Sequence, residues 1–219
     1  MIPVLAICDP EITIGLPKSL TAACGVDALT HCIEAYTVQL HQPITDALAL
    51  KGISMIAENL EKAYENGEDR EARRNMMIAS TIGGMAFISS NVGAVHAFAE
   101  TVGAWFDTPH GVANSLFLPY IMEFNIPACP ERFADIADAM GIEREESMSD
   151  EQYALKAVEY VKALNRKLNI PTIKEIKGIT EERFEAIAER SANNVLSNDN
   201  ARKITKEDYL ELLKKAYNE

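Results

Sequence analysis

No run of apolar residues in this sequence reaches the roughly 18 that a membrane-spanning helix requires. The opening Met1-Ile2-Pro3-Val4-Leu5-Ala6-Ile7-Cys8 has neither the basic start nor the long apolar centre of a secretory signal. Cysteine is scarce: Cys8, Cys24, Cys32 and Cys129 form no C-x-x-C pair and lack the density of a disulfide scaffold. They read as reduced thiols of a cytoplasmic protein, with Cys32 a small core residue. Basic residues are outnumbered, 21 Lys and Arg against 33 Asp and Glu, for a net charge of -12. That balance argues against a nucleic-acid partner, which needs a basic stripe, and against an anionic membrane surface. Repeat periods and low-complexity tracts are absent too, so a solenoid or disordered linker is not expected.

What remains is an ordinary globular composition, 47% hydrophobic and 25% charged over 219 residues. That length suffices for one large helical domain or two small ones. Val4 to Cys8 reads as a short strand stopping at Asp9-Pro10, although a lone strand needs a sheet to pair with. Beyond it the three- and four-residue apolar spacing predicts helices over Leu20 to Tyr36, Ile44 to Tyr64, Glu71 to Ser90, Val92 to Phe106 and Gly111 to Phe124. Ser19 or Thr21 is a candidate cap for the first, Pro43 opens the second, and Asn66-Gly67 closes it. Gly83-Gly84 inside a helix suggests close packing there, and Pro119 a break or kink. From about residue 131 the helices carry more polar outer faces: Arg132 to Met140, Tyr153 to Leu168, Glu181 to Arg190 and Lys206 to Tyr217. Ile170-Pro171 and Ser191 to Arg202 read as connectors. The expected fold is all-α, a helical bundle-like domain over residues 9–219, with residues 1–8 a strand or linker.

Only four histidines are present, so their surroundings are informative. Asp27 and His31 are four residues apart, which on a helix puts both on one face. That spacing fits a surface hydrogen bond as well as two ligands to one metal. His96 lies in the apolar run Gly93-Ala94-Val95-His96-Ala97-Phe98-Ala99, where an imidazole must be hydrogen-bonded or metal-bound to offset its burial. His110 sits at a loop-to-helix junction between Pro109 and Gly111, and His41 lies in a polar connector. Taken as a set, Asp27, His31, His96 and His110 offer one carboxylate and three imidazoles, a donor set suited to a first-row divalent metal.

Several ordered segments resemble the iron-containing (group III) alcohol dehydrogenases. They are Asp9-Pro10-Glu11, Leu16-Pro17, Thr21-Ala22-Ala23-Cys24-Gly25-Val26-Asp27-Ala28-Leu29-Thr30-His31, Glu34-Ala35-Tyr36 and Thr45-Asp46-Ala47-Leu48-Ala49-Leu50. Gly84-Met85-Ala86-Phe87, Gly93-Ala94-Val95-His96-Ala97 and Pro109-His110-Gly111-Val112-Ala113-Asn114 continue the likeness. It is dense from Asp9 to about Gly141 and thinner beyond. The resemblance implies a dehydroquinate synthase-like C-terminal domain whose Asp27, His31, His96 and His110 hold a catalytic Fe(II), with Zn(II) an alternative for the same ligands. It also implies interconversion of a small alcohol and an aldehyde or ketone by hydride exchange with NAD(P), the metal acting as Lewis acid.

Two departures stand beside that likeness. Glu100 replaces the second histidine of many relatives, four residues after His96, and is the candidate catalytic residue. It reads as a proton relay, an added anionic metal ligand or a brake on turnover, beside the plain alternative of a solvated carboxylate facing a cleft. The N-terminal α/β domain that binds NAD(P) in the family is not in the sequence, which is then a C-terminal fragment, a natural truncation or half of a split enzyme. Two other readings remain, a non-catalytic metal-binding or assembly module and a related zinc enzyme such as a glycerol dehydrogenase or dehydroquinate synthase. An apolar cleft wall exposed without the nucleotide domain predicts a homo-oligomer.

Overall fold

A computed structural model describes residues 4–219. The main helices are α1 (Lys18–Thr37), α2 (Pro43–Glu65), α3 (Arg70–Ser90), α4 (Ala94–Phe106), α5 (His110–Asn125), α6 (Pro130–Ala139), α7 (Asp150–Lys167), α8 (Phe184–Ala192) and α9 (Lys206–Asn218). Short 3-10 turns join them, and no strand occurs among the described residues. Each main helix falls where the apolar spacing places one, because the buried stripe that folds it is written locally.

The strand expected at Val4 to Cys8 does not form; residues 1–3 of the expected strand or linker over 1–8 lie outside the described residues. Leu5 and Ile7 are 75% and 81% exposed. Among the described residues no strand is available for it to pair with, and the Cys8 thiol lies 3.4 Å from Thr81 Oγ1. Pro119 does not interrupt α5 either. Its missing N–H leaves the Ser115 carbonyl without a helical donor, and Asn165 Nδ2 of α7 supplies one at 2.7 Å. Neither Ser19 nor Thr21 caps α1. Pro17 takes the cap position, and the buried Thr21 Oγ1 accepts instead from Arg73 Nη1 at 2.8 Å.

α1, α2 and α3 pack on one another, α5 lies on α1 and pairs with α4, and α8–α9 cover α4 and the end of α5. α6 fastens α1 to α2 through Arg132. Its Nε donates to the Tyr36 carbonyl at 2.8 Å and its Nη2 to Asp46 at 2.7 Å, with the guanidinium over the Tyr36 ring. A single apolar cluster runs through these layers, from Ala22 and Phe98 to Tyr209 and Ala216. Cys32 lies within it, and burial pushes its thiol up to about 12, which suits an inert core position.

Of the Gly83-Gly84 pair, only Gly83 is a packing residue. A Cβ there would stand 3.2 Å from Cys32 Sγ, whereas one at Gly84 would meet nothing. The segment from 191 to 202 is more than a connector. Asn200 is buried, and its side chain exchanges two hydrogen bonds with Asn125 at 2.8 and 3.0 Å. α3 and α4 meet at 106° across Asn91, whose φ of 77° is held by a bond from its side chain to Asp199. This turn carries α4 back toward α1.

Gly111 sets the approach of α5 to α1. A Cβ at that position would collide with the Ala23 backbone carbonyl, one helical turn before Asp27. Gly111→Ala is therefore expected to cost about 1–3 kcal/mol through overpacking. Gly84→Ala, with open space at the Cβ, should stabilise by about 0.5–1 kcal/mol from helix propensity. Urea unfolding of the two variants checks both signs, and equal midpoints would contradict the close approach.

Candidate metal centre

Three helices bring four side chains to one spot. α1 contributes Asp27 and His31, one turn apart. α4 contributes His96 from its first turn, and α5 contributes His110 as its first residue. Nε2 of His96 is 3.2 Å from Nε2 of His31, and Nε2 of His110 is 3.6 Å from Oδ1 of Asp27. One ligand atom each from Asp27, His96 and His110 lies within 4.8 Å of the others. His31 joins this group through His96, its second ring nitrogen being 3.8 Å from Asp27 Oδ2. The His31 ring also stacks on Phe87, centroids 4.5 Å apart.

His96 is almost fully buried, and its orientation is imposed by Glu34, itself only 3% exposed. Glu34 Oε2 is 2.5 Å from His96 Nδ1, and Oε1 accepts from the Val95 N–H at 2.8 Å. The carboxylate accepts a hydrogen bond from His96 Nδ1–H, which turns the other ring nitrogen, Nε2, toward Asp27, His31 and His110. Burial alone would pull the His96 pKa down. The charge and hydrogen bond of Glu34, with weaker help from Asp27 and Glu100, outweigh it and leave the net shift upward. For His31, burial and the neighbouring His96 combine to lower the pKa, which favours the neutral ring.

The structure brings the side chains of Asp27, His31, His96 and His110 together, and His41 lies apart, exposed near Asp46. Glu100 is exposed one turn beyond His96. Its Oε2 accepts from Asn194 Nδ2 at 2.7 Å, at the rim of a groove of about 550 Å³ between α4 and α8. Sequence reasoning gave no role to Glu34 or Asn114, which both touch the cluster. The available signals were their positions, Glu34 three residues after His31 in an apolar helix and Asn114 four after His110.

The donor chemistry fits a divalent cation. A carboxylate oxygen and imidazole nitrogens gather within metal-ligand range of one another, and beside them the buried Oδ1 of Asn114 has no hydrogen-bond partner.

Residues 21–217 match the Fe-containing alcohol dehydrogenase family, C-terminal. The chain belongs to that family. It is 43% identical to alcohol dehydrogenase 4 of Saccharomyces cerevisiae over 218 residues, 98% of this chain and 55% of that protein. It is 40% identical to the 1,3-propanediol dehydrogenase of Klebsiella pneumoniae over 216 residues, 99% of this chain and 56% of that one. The crystal structure of a 1,3-propanediol oxidoreductase superposes with a TM-score of 0.92 at 40% identity, covering 95% of this chain and 54% of that one. The chain therefore spans about half the length of the relatives it matches.

Glu34→Ala would leave the Val95 N–H and His96 Nδ1 buried without their acceptor. The expected loss is about 1–3 kcal/mol of folding stability for a stranded buried polar group. A chemical-denaturation midpoint equal to that of the unsubstituted chain would show that the pair does not hold α1 to α4.

Proposed function

We propose that this chain supplies the metal-binding part of the catalytic centre of an NAD(P)-dependent alcohol dehydrogenase, interconverting a small alcohol and an aldehyde or ketone. The observation that carries this reading is the convergence of the Asp27, His96 and His110 ligand atoms, with His31 against His96. Family membership favours Fe(II) for this site, and the ligand types admit Zn(II) as well. When bound, such an ion supplies Lewis acidity toward a substrate oxygen.

The protein's own residues orient and enclose. Glu34 aims His96 inward, and Phe87 makes an apolar wall against His31. Glu100, steadied by Asn194, stands one turn outside the cluster, where it is placed to accept or return a proton. The nicotinamide is assigned to a nucleotide-binding domain like that of the family, so NAD(P) is a cofactor of the assembled enzyme and not of these helices. Exposed apolar side chains at Met85 and Ile88 on α3 support self-association as part of the same proposal. No single helix among the described residues is long and apolar enough to cross a membrane. A cytoplasmic location is proposed from the four free thiols.

Metal analysis of anaerobically purified protein tests the reading. One divalent ion per chain is expected. His96→Ala and His110→Ala should each lower occupancy by about tenfold or more and reduce the melting temperature together with it. Full occupancy in both variants would overturn the site. In the assembled enzyme, Glu100→Gln is expected to change the shape of the pH–rate profile; an unchanged profile would remove Glu100 from proton transfer.

A further inference from the structure

We propose that Asn114 is a positioning residue of the metal centre, its amide N–H holding the Asp27 carboxylate in the direction of the His96 and His110 ring nitrogens. This rests on the metal-site reading above. Asn114 is fully buried on α5, one turn after His110. Its Nδ2 lies 2.5 Å from Asp27 Oδ1, 3.0 Å from His110 Nε2 and 3.2 Å from His96 Nε2.

Two amide hydrogens thus face three acceptors. The carboxylate is the closest and carries the full charge, so it takes the stronger bond. This is the only hydrogen bond made to the Asp27 carboxylate among the described residues. The alternatives, His31 Nδ1 at 3.8 Å and His110 Nε2 at 3.6 Å, are beyond hydrogen-bonding reach. Without Asn114, Asp27 would be free to turn about its own side-chain bonds on a half-exposed helix face.

The other end of the amide argues that its task is not packing. Asn114 Oδ1 is buried and has no partner. A leucine of similar size would fill the same space without stranding an oxygen, so fold stability alone gives no reason for an amide here. An amide is suited to donating hydrogen bonds to an anionic ligand without competing for the cation through a charge of its own.

Cobalt(II) titration of the chelator-stripped full chain tests this, with the visible absorption band reporting ligand geometry. Asn114→Ala and Asn114→Leu are both expected to weaken Co(II) binding by about tenfold to a hundredfold and to shift the band. Asn114→Leu should do so while keeping or raising the melting temperature of the metal-free chain, which separates positioning from packing. Unsubstituted affinity and spectrum in both variants would overturn the proposal. So would tighter binding by Asn114→Asp, because the side chain would then be acting as a ligand. If the unsubstituted chain takes up neither Co(II), Zn(II) nor Fe(II), the metal-site reading itself fails, an outcome distinct from the failure of Asn114.

Discussion

A buried carboxylate, Glu34, ties the first helix to the start of the fourth. α4 begins at Ala94 with no side-chain cap of its own. Its exposed N–H groups are met from elsewhere in the chain, Val95 by Glu34 at 2.8 Å and Ala94 by Asn200 at 3.4 Å. A helix N-terminus favours negative charge, and a buried charge needs donors, so each requirement answers the other. The same carboxylate turns His96 so that one ring nitrogen is used up and the other faces the cluster. Removing this contact would both uncap α4 and free the imidazole that sits in its first turn.

The second half of the centre depends on a steric constraint. α5 reaches α1 closely only because Gly111 has no side chain at the point where the Ala23 backbone passes. Asp27 stands one turn further along α1, and His110 and Asn114 lie one turn apart on α5. The close approach therefore brings a carboxylate, an imidazole and an amide to the same place. α4 arrives through the 106° turn at Asn91, locked by Asp199 and Asn200 from a segment far along the chain. Candidate ligands from three helices thus meet by packing of the helices and not by any local loop.

Much of this was legible from local pattern. The apolar spacing located every main helix, since 3.6-residue periodicity needs no knowledge of partners. Asp27 and His31 became candidates through their four-residue spacing and His96 through the cost of an imidazole in an apolar run, although each signal alone also fits an ordinary hydrogen bond and only the set pointed to a metal. Glu34 and Asn114 did not, because what each one does depends on a partner 62 or 87 residues away. Val4 to Cys8 misled for the complementary reason: β-branched residues express a preference for pairing, but pairing needs a neighbouring strand. A break at Pro119 does not occur because the rule for proline in a helix assumes that the freed carbonyl stays unpaired, and Asn165 pairs it.

The helical class and the candidate donor set of Asp27, His31, His96 and His110 were legible in the sequence alone, because residue chemistry and periodicity are local properties. The tertiary structure decided which polar atoms face one another, which imidazole nitrogen Glu34 occupies, and that the Asn114 amide donates to Asp27. Those are orientations, and an orientation exists only once helices distant in the chain have packed and the buried polar groups on each have found partners on the other.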